Sequence, residues 1–146
     1  MGDDTAKDGP VEPDNRRLLL SYLAGFFDGE GCIYARKRGN RAEVVLEASQ
    51  VMAEPLGLFV RVFGGKVDTP RAPGRLVFRW RIHKRSAVRE TLRELYPDLR
   101  VKREQARLAL ELLFFLDSSR RRSPPSSRDI ERIHYLVDQI SALKRM

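Results

Sequence analysis

Cysteine is nearly absent from this chain: Cys32 stands alone among 146 residues. That excludes an intramolecular disulfide and leaves too few thiols for a cysteine zinc site. Histidine is nearly as scarce, and its two copies, His83 and His134, lie too far apart to suggest paired metal ligands. No apolar run approaches the ~18 residues of a membrane span, so a soluble protein with no membrane partner is expected. Residues 1–14, MGDDTAKDGPVEPD, lack the apolar segment of a secretion signal and read as a disordered acidic leader. They point to an intracellular protein, cytoplasmic or nucleoid-associated, with an organelle left open.

Positive charge is abundant. Lysine and arginine number 28 against 20 aspartates and glutamates, a formal net charge of +8. Since the leader is acidic, residues 15–146, read as one domain, are more basic still. A polyanion is the natural partner. On charge alone, a generic solvated basic surface explains the excess as well as nucleic acid does.

The apolar pattern organises the rest. Leu18, Leu19, Tyr22, Leu23, Phe26 and Phe27 recur at three and four, which predicts a helix from a cap at Asp14 or Asn15 to a stop at Gly29. Residues 32–38 and 41–51 alternate instead, with Gly39-Asn40 as turn chemistry between them, and so predict a hairpin. In its second strand Ala42, Val44, Leu46 and Ala48 share one face, and Arg41, Glu43, Val45, Glu47 and Ser49 the other. A helix over 54–63 carries Pro55 in its first turn and ends at Gly64-Gly65. A second hairpin follows, whose outgoing strand RLVFRWRIH sets Leu76, Phe78, Trp80 and Ile82 against Arg75, Val77, Arg79 and Arg81. Helices are expected over 86–95, 101–116 and 128–143, with the low-complexity loop SSRRRSPPSS before the last. The order is that of an α+β domain, αββαββα with further helix at the end: helices on one face of an antiparallel sheet, the other face open and basic.

The stretch LAGFFDGEG at 23–31 raises a question of charge. Acids near a helix C-terminus are disfavoured by a few tenths to ~1 kcal/mol each, yet Asp28 and Glu30 both stand there. Gly25 and Gly29, four apart, leave a smooth strip on one helical face where a second backbone can approach. The economical partner is the same helix of a second copy, packed by two-fold symmetry. That arrangement brings two Glu30 carboxylates together, and a divalent cation with hard oxygen ligands, Mg²⁺ above all, would relieve their repulsion.

LAGFFDGEG resembles the signature of the LAGLIDADG homing endonucleases, and the element order over about 15–143 matches that family. QVMAEPLGLFVRVFGGKV and YPDLRVKREQARLALELL are similar to segments expected there. The resemblance implies a single-motif homodimer with Leu23, Gly25, Phe26 and Gly29 at the dimer interface. It implies Glu30 and the Gly29 backbone carbonyl as metal ligands, Mg²⁺ or Mn²⁺ as the metal, and Asp28 as a structural acid. It also implies Lys102 as the basic group near the scissile phosphate and Gln50 as a positioner of water. Where some members carry Asp, this chain carries Glu30, whose longer arm alters the spacing to a metal. The activity implied is a double-strand break in a pseudo-palindromic duplex of about twenty base pairs, leaving 3′ overhangs. Two other roles suit the same fold: a DNA-binding regulator that does not cut, and an RNA splicing cofactor.

A β-ribbon fits the major groove, so the open sheet face is the expected reading head. Tyr34, Arg36 and Arg38 point outward on the first strand, with Asn40 at the turn. Arg41, Glu43, Val45 and Glu47 follow on the second, and Lys66, Asp68, Arg75, Val77, Arg79 and Arg81 complete the surface. Glutamate can accept from cytosine N4, and Val45 can meet a thymine methyl. Glu43 and Glu47 can equally pair with neighbouring arginines across the sheet.

Overall fold

The computed structural model describes residues 13–69, 76–119 and 124–144. The acidic leader before Pro13, Arg75 and the arginines of the basic loop lie outside the described residues. Helix α1 spans Pro13–Glu30, strand β1 Gly31–Arg38 and strand β2 Arg41–Gln50. Helix α2 spans Glu54–Phe63, followed by β3, Lys66–Asp68, and β4, Phe78–Ile82. Helix α3 covers Arg85–Leu95, a short 3-10 turn Tyr96–Asp98, α4 Arg103–Ser119 and α5 Ser127–Lys144.

The strands form one antiparallel sheet in the order β1-β2-β4-β3. Arg38 pairs with Arg41 across the Gly39-Asn40 turn, where Gly39 takes φ 57° as tight hairpin chemistry requires. The register continues to Gly31 opposite Ala48, and on the other edge of β2 Leu46 faces Ile82. Ala42, Val44, Leu46 and Ala48 are all buried on the inner face, as their alternation predicts. On that face Trp80 stacks against Phe59 at 4.7 Å between ring centroids, and its Nε1 donates to the Gly64 carbonyl at 2.8 Å. Gly65, at φ 89°, lies so close to β4 that a Cβ would come within 2.4 Å of Ile82. The second hairpin therefore depends on the glycine pair that ends α2.

The helices differ from the expected ranges mainly at their ends. α1 does not stop at Gly29 but carries Glu30 in its last turn, and β1 begins on the next residue. Gly31 makes that junction possible: a Cβ there would sit 2.4 Å from the Phe27 ring, which packs over it. α4 begins at Arg103 rather than Val101: Val101 and Lys102 form a bend, and the Lys102 N–H is donated to Asp28 of α1. Leu76, expected on the inner face, is 68% exposed, since β4 pairs only from Phe78 onward. Buried Gln105 on α4 donates its Nε2 to the carbonyls of Ile33 on β1 and Ile140 on α5, at 3.1 and 3.2 Å. One side chain thereby ties the edge strand to two helices. Among the described residues no helix is long and apolar enough to cross a membrane.

Candidate functional site

The charge problem at the end of α1 is solved in part within the chain. Asp28 accepts from the backbone N–H groups of Arg100, at 2.7 Å, and Lys102, at 3.0 Å. Its carboxylate thus satisfies donors in the segment leading into α4, where backbone N–H groups have no helical acceptor. Lys102 returns the favour, its Nζ donating to the Asp28 carbonyl at 2.7 Å. A cation on the last carbonyls of a helix is favoured by the helix dipole. Asp28 is therefore a hydrogen-bond acceptor within the fold.

Glu30 is different. It is exposed, and among the described residues its carboxylate meets no hydrogen-bond donor and no cation. Gly25 and Gly29 are exposed on the same helix, and a Cβ added at either would touch nothing within 4 Å among the described residues. Leu18 and Tyr22, 70% and 50% exposed, extend this strip toward the start of α1. Leu23, expected in the same interface, is instead fully buried in the core, and Phe26 is half-buried against Tyr22 and Phe59. A one-position turn of the helix separates the open strip from the packed one.

Gly31 opposes Ala48 in the register, so Gln50, two residues on, falls at the end of the sheet where α1 gives way to β1. The Gln50 Oε1 accepts from the Val51 N–H at 2.8 Å, a local bond that terminates β2. Gln50 thus lies at the end of the sheet where α1 meets β1, and Lys102 is tied to the same helix end through the Asp28 carbonyl. Among the described residues no group of three or more His, Cys, Asp or Glu could hold a metal ion. One chain offers a single free carboxylate there, with the carbonyls of the last helical turn beside it.

The open sheet face is a lattice of ion pairs. Arg36 and Arg38 share the Glu43 carboxylate at 2.6 and 3.4 Å, with His83 at 3.8 Å. Burial pulls the Glu43 carboxyl upward, but the Arg36 hydrogen bond and charge outweigh it and hold the group below the usual carboxylate range. Glu47 receives Tyr34 at 3.1 Å, Arg81 at 3.3 Å and Arg79 at 3.9 Å. Burial, then the Glu47 charge, raises the Tyr34 phenol above its ordinary value. Asp68 adds a contact to Arg79 at 3.5 Å. The Nε atoms of Arg79 and Arg81 are buried without a hydrogen-bond acceptor among the described residues, their carboxylate contacts being ionic rather than directional. A buried donor left unsatisfied costs ~1–3 kcal/mol, so this face has a standing demand for acceptors.

Two expected readers do not reach that surface. Val45 is fully buried, opposite Tyr34 and between the two paired glutamates, so its methyls cannot meet a base. Arg41 turns to the end of α4, donating to the Ser119 Oγ at 2.8 Å and the Ser119 carbonyl at 3.3 Å. The helix C-terminus attracts it as it attracts any cation. Asn40 and Lys66 are exposed, and Val77 is half-buried. Sequence reading missed His83 beside Glu43 and Lys144, whose ammonium lies 5.1 Å from the centre of the Tyr34 ring. No local pattern marks either one.

No family model matches the sequence. No curated protein matches it. Solved structures do. The homing endonuclease I-CvuI, in complex with the I-CreI target in 2 mM Mg with the DNA not cleaved, superposes with a TM-score of 0.71 at 25% identity, over 87% of this chain and 82% of that one. The fold is that of the homing endonucleases. The archaeal intron-encoded homing endonuclease I-Vdi141I, complexed with DNA, gives a TM-score of 0.73 at 16% identity, over 88% and 85% of the two chains. The LAGLIDADG meganuclease I-AabMI, bound to uncleaved DNA, gives 0.62 at 19% identity, but this chain spans only 43% of it. The four-stranded antiparallel sheet with its helices is the shared framework.

Proposed function

We propose that this chain is a metal-dependent DNA endonuclease that acts as a homodimer on a long pseudo-palindromic duplex. The observation that carries the reading is Glu30, an exposed and unpaired carboxylate at the end of a helix whose glycine strip is open. Pairing two copies along Gly25 and Gly29 sets two such carboxylates on one axis, each beside the Gly29 carbonyl. These are hard oxygen donors of the kind Mg²⁺ takes, so the residues present fit that metal, with Mn²⁺ as a substitute. When bound, the cation supplies Lewis-acid stabilisation to the oxygens of an in-line phosphodiester hydrolysis.

The chain's own groups do the rest. Lys102, held at the end of α1 through the Asp28 carbonyl, brings positive charge to the phosphate being cut. Gln50 can orient the attacking water once its bond to the Val51 N–H is exchanged. Arg36, Arg38, Arg79 and Arg81 grip the duplex, and Glu43 and Glu47 can accept from cytosine edges when their arginines turn to the DNA. I-CvuI and I-Vdi141I, similar in fold, are complexed with DNA.

Cleavage of a randomised duplex library in Mg²⁺, with EDTA and Glu30→Gln controls and sequencing of the cut ends, tests this. Metal-dependent cuts at one pseudo-palindromic site with 3′ overhangs, lost in Glu30→Gln, are expected. Selective retention of one duplex without cutting would refute the nuclease reading in favour of a non-catalytic regulator. Preference for structured intron RNA over duplex would point to a splicing cofactor.

A further inference from the structure

Away from α1, at the hairpin-tip end of the sheet, lies a cleft of about 660 Å³ between β2, the start of α3 and the end of α4. Its floor is apolar, formed by Ala42, Val44, Leu113 and Leu116. Its rim carries Arg38, Arg41, Lys84, Arg85 and Arg89, with His83, against two carboxylates, Glu43 and Asp117. Both acids are already engaged: Asp117 by Arg85 and Arg89, and Glu43 by Arg36, Arg38 and His83. Arg41 bonds only neutral oxygens of Ser119, and exposed Lys84 has no ion-pair partner among the described residues. Among the described lining residues positive charge therefore exceeds negative by three, counting five cations less two carboxylates with His83 neutral.

The N-terminus of α3 opens into this cleft. Lys84, the residue before the helix, is extended, and no side chain caps the first turn. The first backbone bond back into the turn is from the Val88 N–H to the Lys84 carbonyl, so the N–H groups of Arg85, Ser86 and Ala87 have no helical acceptor. Free N–H groups, a helix dipole and surplus cations together make an anion site, and oxyanions of phosphate suit it best. The cleft is much larger than one phosphate and its floor is apolar, which suits an organic ester.

We propose that this cleft binds a phosphate ester, its phosphate against the N-terminus of α3 and within reach of Lys84 and Arg41. The ester is either a free nucleotide or a backbone phosphate of a nucleic acid lying past the hairpin tip. The site is separate from Glu30 and holds whether or not the chain cuts DNA.

The test is isothermal titration of the intact protein with ADP, and, in parallel, salt-dependent binding of a random-sequence duplex. Two variants accompany the wild type. Lys84→Ala removes an exposed, unpaired cation. Ser86→Asp places a negative charge in the first turn of α3, which favours the helix while repelling the ligand. If the source is a free nucleotide, ADP binds and each variant weakens it by about tenfold, one charge-assisted contact at about 1.4 kcal/mol per decade. If the source is nucleic acid, ADP binding is weak and Lys84→Ala lowers the salt slope of duplex binding by about 0.9, one phosphate contact. Unchanged binding of both ligands in Lys84→Ala and Ser86→Asp overturns the site. Loss of DNA cleavage alone, with these affinities unaltered, bears on the nuclease reading and not on this one.

Discussion

Replacing Asp28 with alanine removes an acceptor on which two backbone donors converge. The Arg100 and Lys102 N–H groups, at 2.7 and 3.0 Å, lose a charged partner at the point where the chain enters α4. Bonds to charged acceptors contribute ~1.5–3 kcal/mol each, and loss of a helix-start acceptor alone costs ~0.5–2 kcal/mol. Water can replace part of this, because Asp28 is half-buried rather than sealed. A destabilisation of about 2–3 kcal/mol is therefore expected for Asp28→Ala, well above the ~1 kcal/mol of a typical substitution. Asp28→Asn keeps one neutral oxygen acceptor, so its loss is expected to be about half as large. The assay is urea unfolding followed by far-UV circular dichroism. With a slope of roughly 2 kcal/mol per molar, the Asp28→Ala midpoint falls by about 1 M or more at unchanged slope. A shift corresponding to less than about 0.5 kcal/mol, within the range of ordinary surface changes, would refute the role of Asp28 as the anchor of this junction.

Other outcomes follow from the same geometry. Gly25→Leu is expected to convert the proposed dimer to a monomer in sedimentation velocity without loss of monomer stability, because a Cβ at Gly25 meets nothing within 4 Å among the described residues; an intact dimer would contradict the open-strip interface. Phe59→Ala removes a fully buried ring stacked on Trp80 and is expected to cost about 3–5 kcal/mol by chemical denaturation, with a cost under about 1.5 kcal/mol counting against this packing. Glu43, its folded-state carboxyl held low by Arg36, contributes stability that is fully present above the ordinary glutamate value of about 4.3 and is lost as pH falls through the lower folded-state value. The stability gap between wild type and Glu43→Gln should therefore narrow from pH 7 to pH 3, and a constant gap would rule out that pairing.

The local periodicities of the chain were enough for its elements and for their inner faces. The alternation of β2 placed Ala42, Val44, Leu46 and Ala48 inside, and the three-and-four spacing marked the helix that carries Leu23 and Phe27. Side-chain period is a property of a few neighbouring residues, so it survives without any knowledge of the fold. The glycines of LAGFFDGEG also announced a face kept free of side chains, and Gly25 and Gly29 lie on one. What tertiary structure alone decided are the partners. Asp28 meets Arg100 and Lys102 across separations of 72 and 74 residues, and Arg41 reaches Ser119 across 78. Val45 belongs to the polar face by its period and is still buried, because paired neighbours close around it. Leu23 and Gly25, two residues apart on one helix, part ways for the core and the surface. Period tells which way a side chain points, whereas the cover above it and the charge beside it come from elements that only folding brings near.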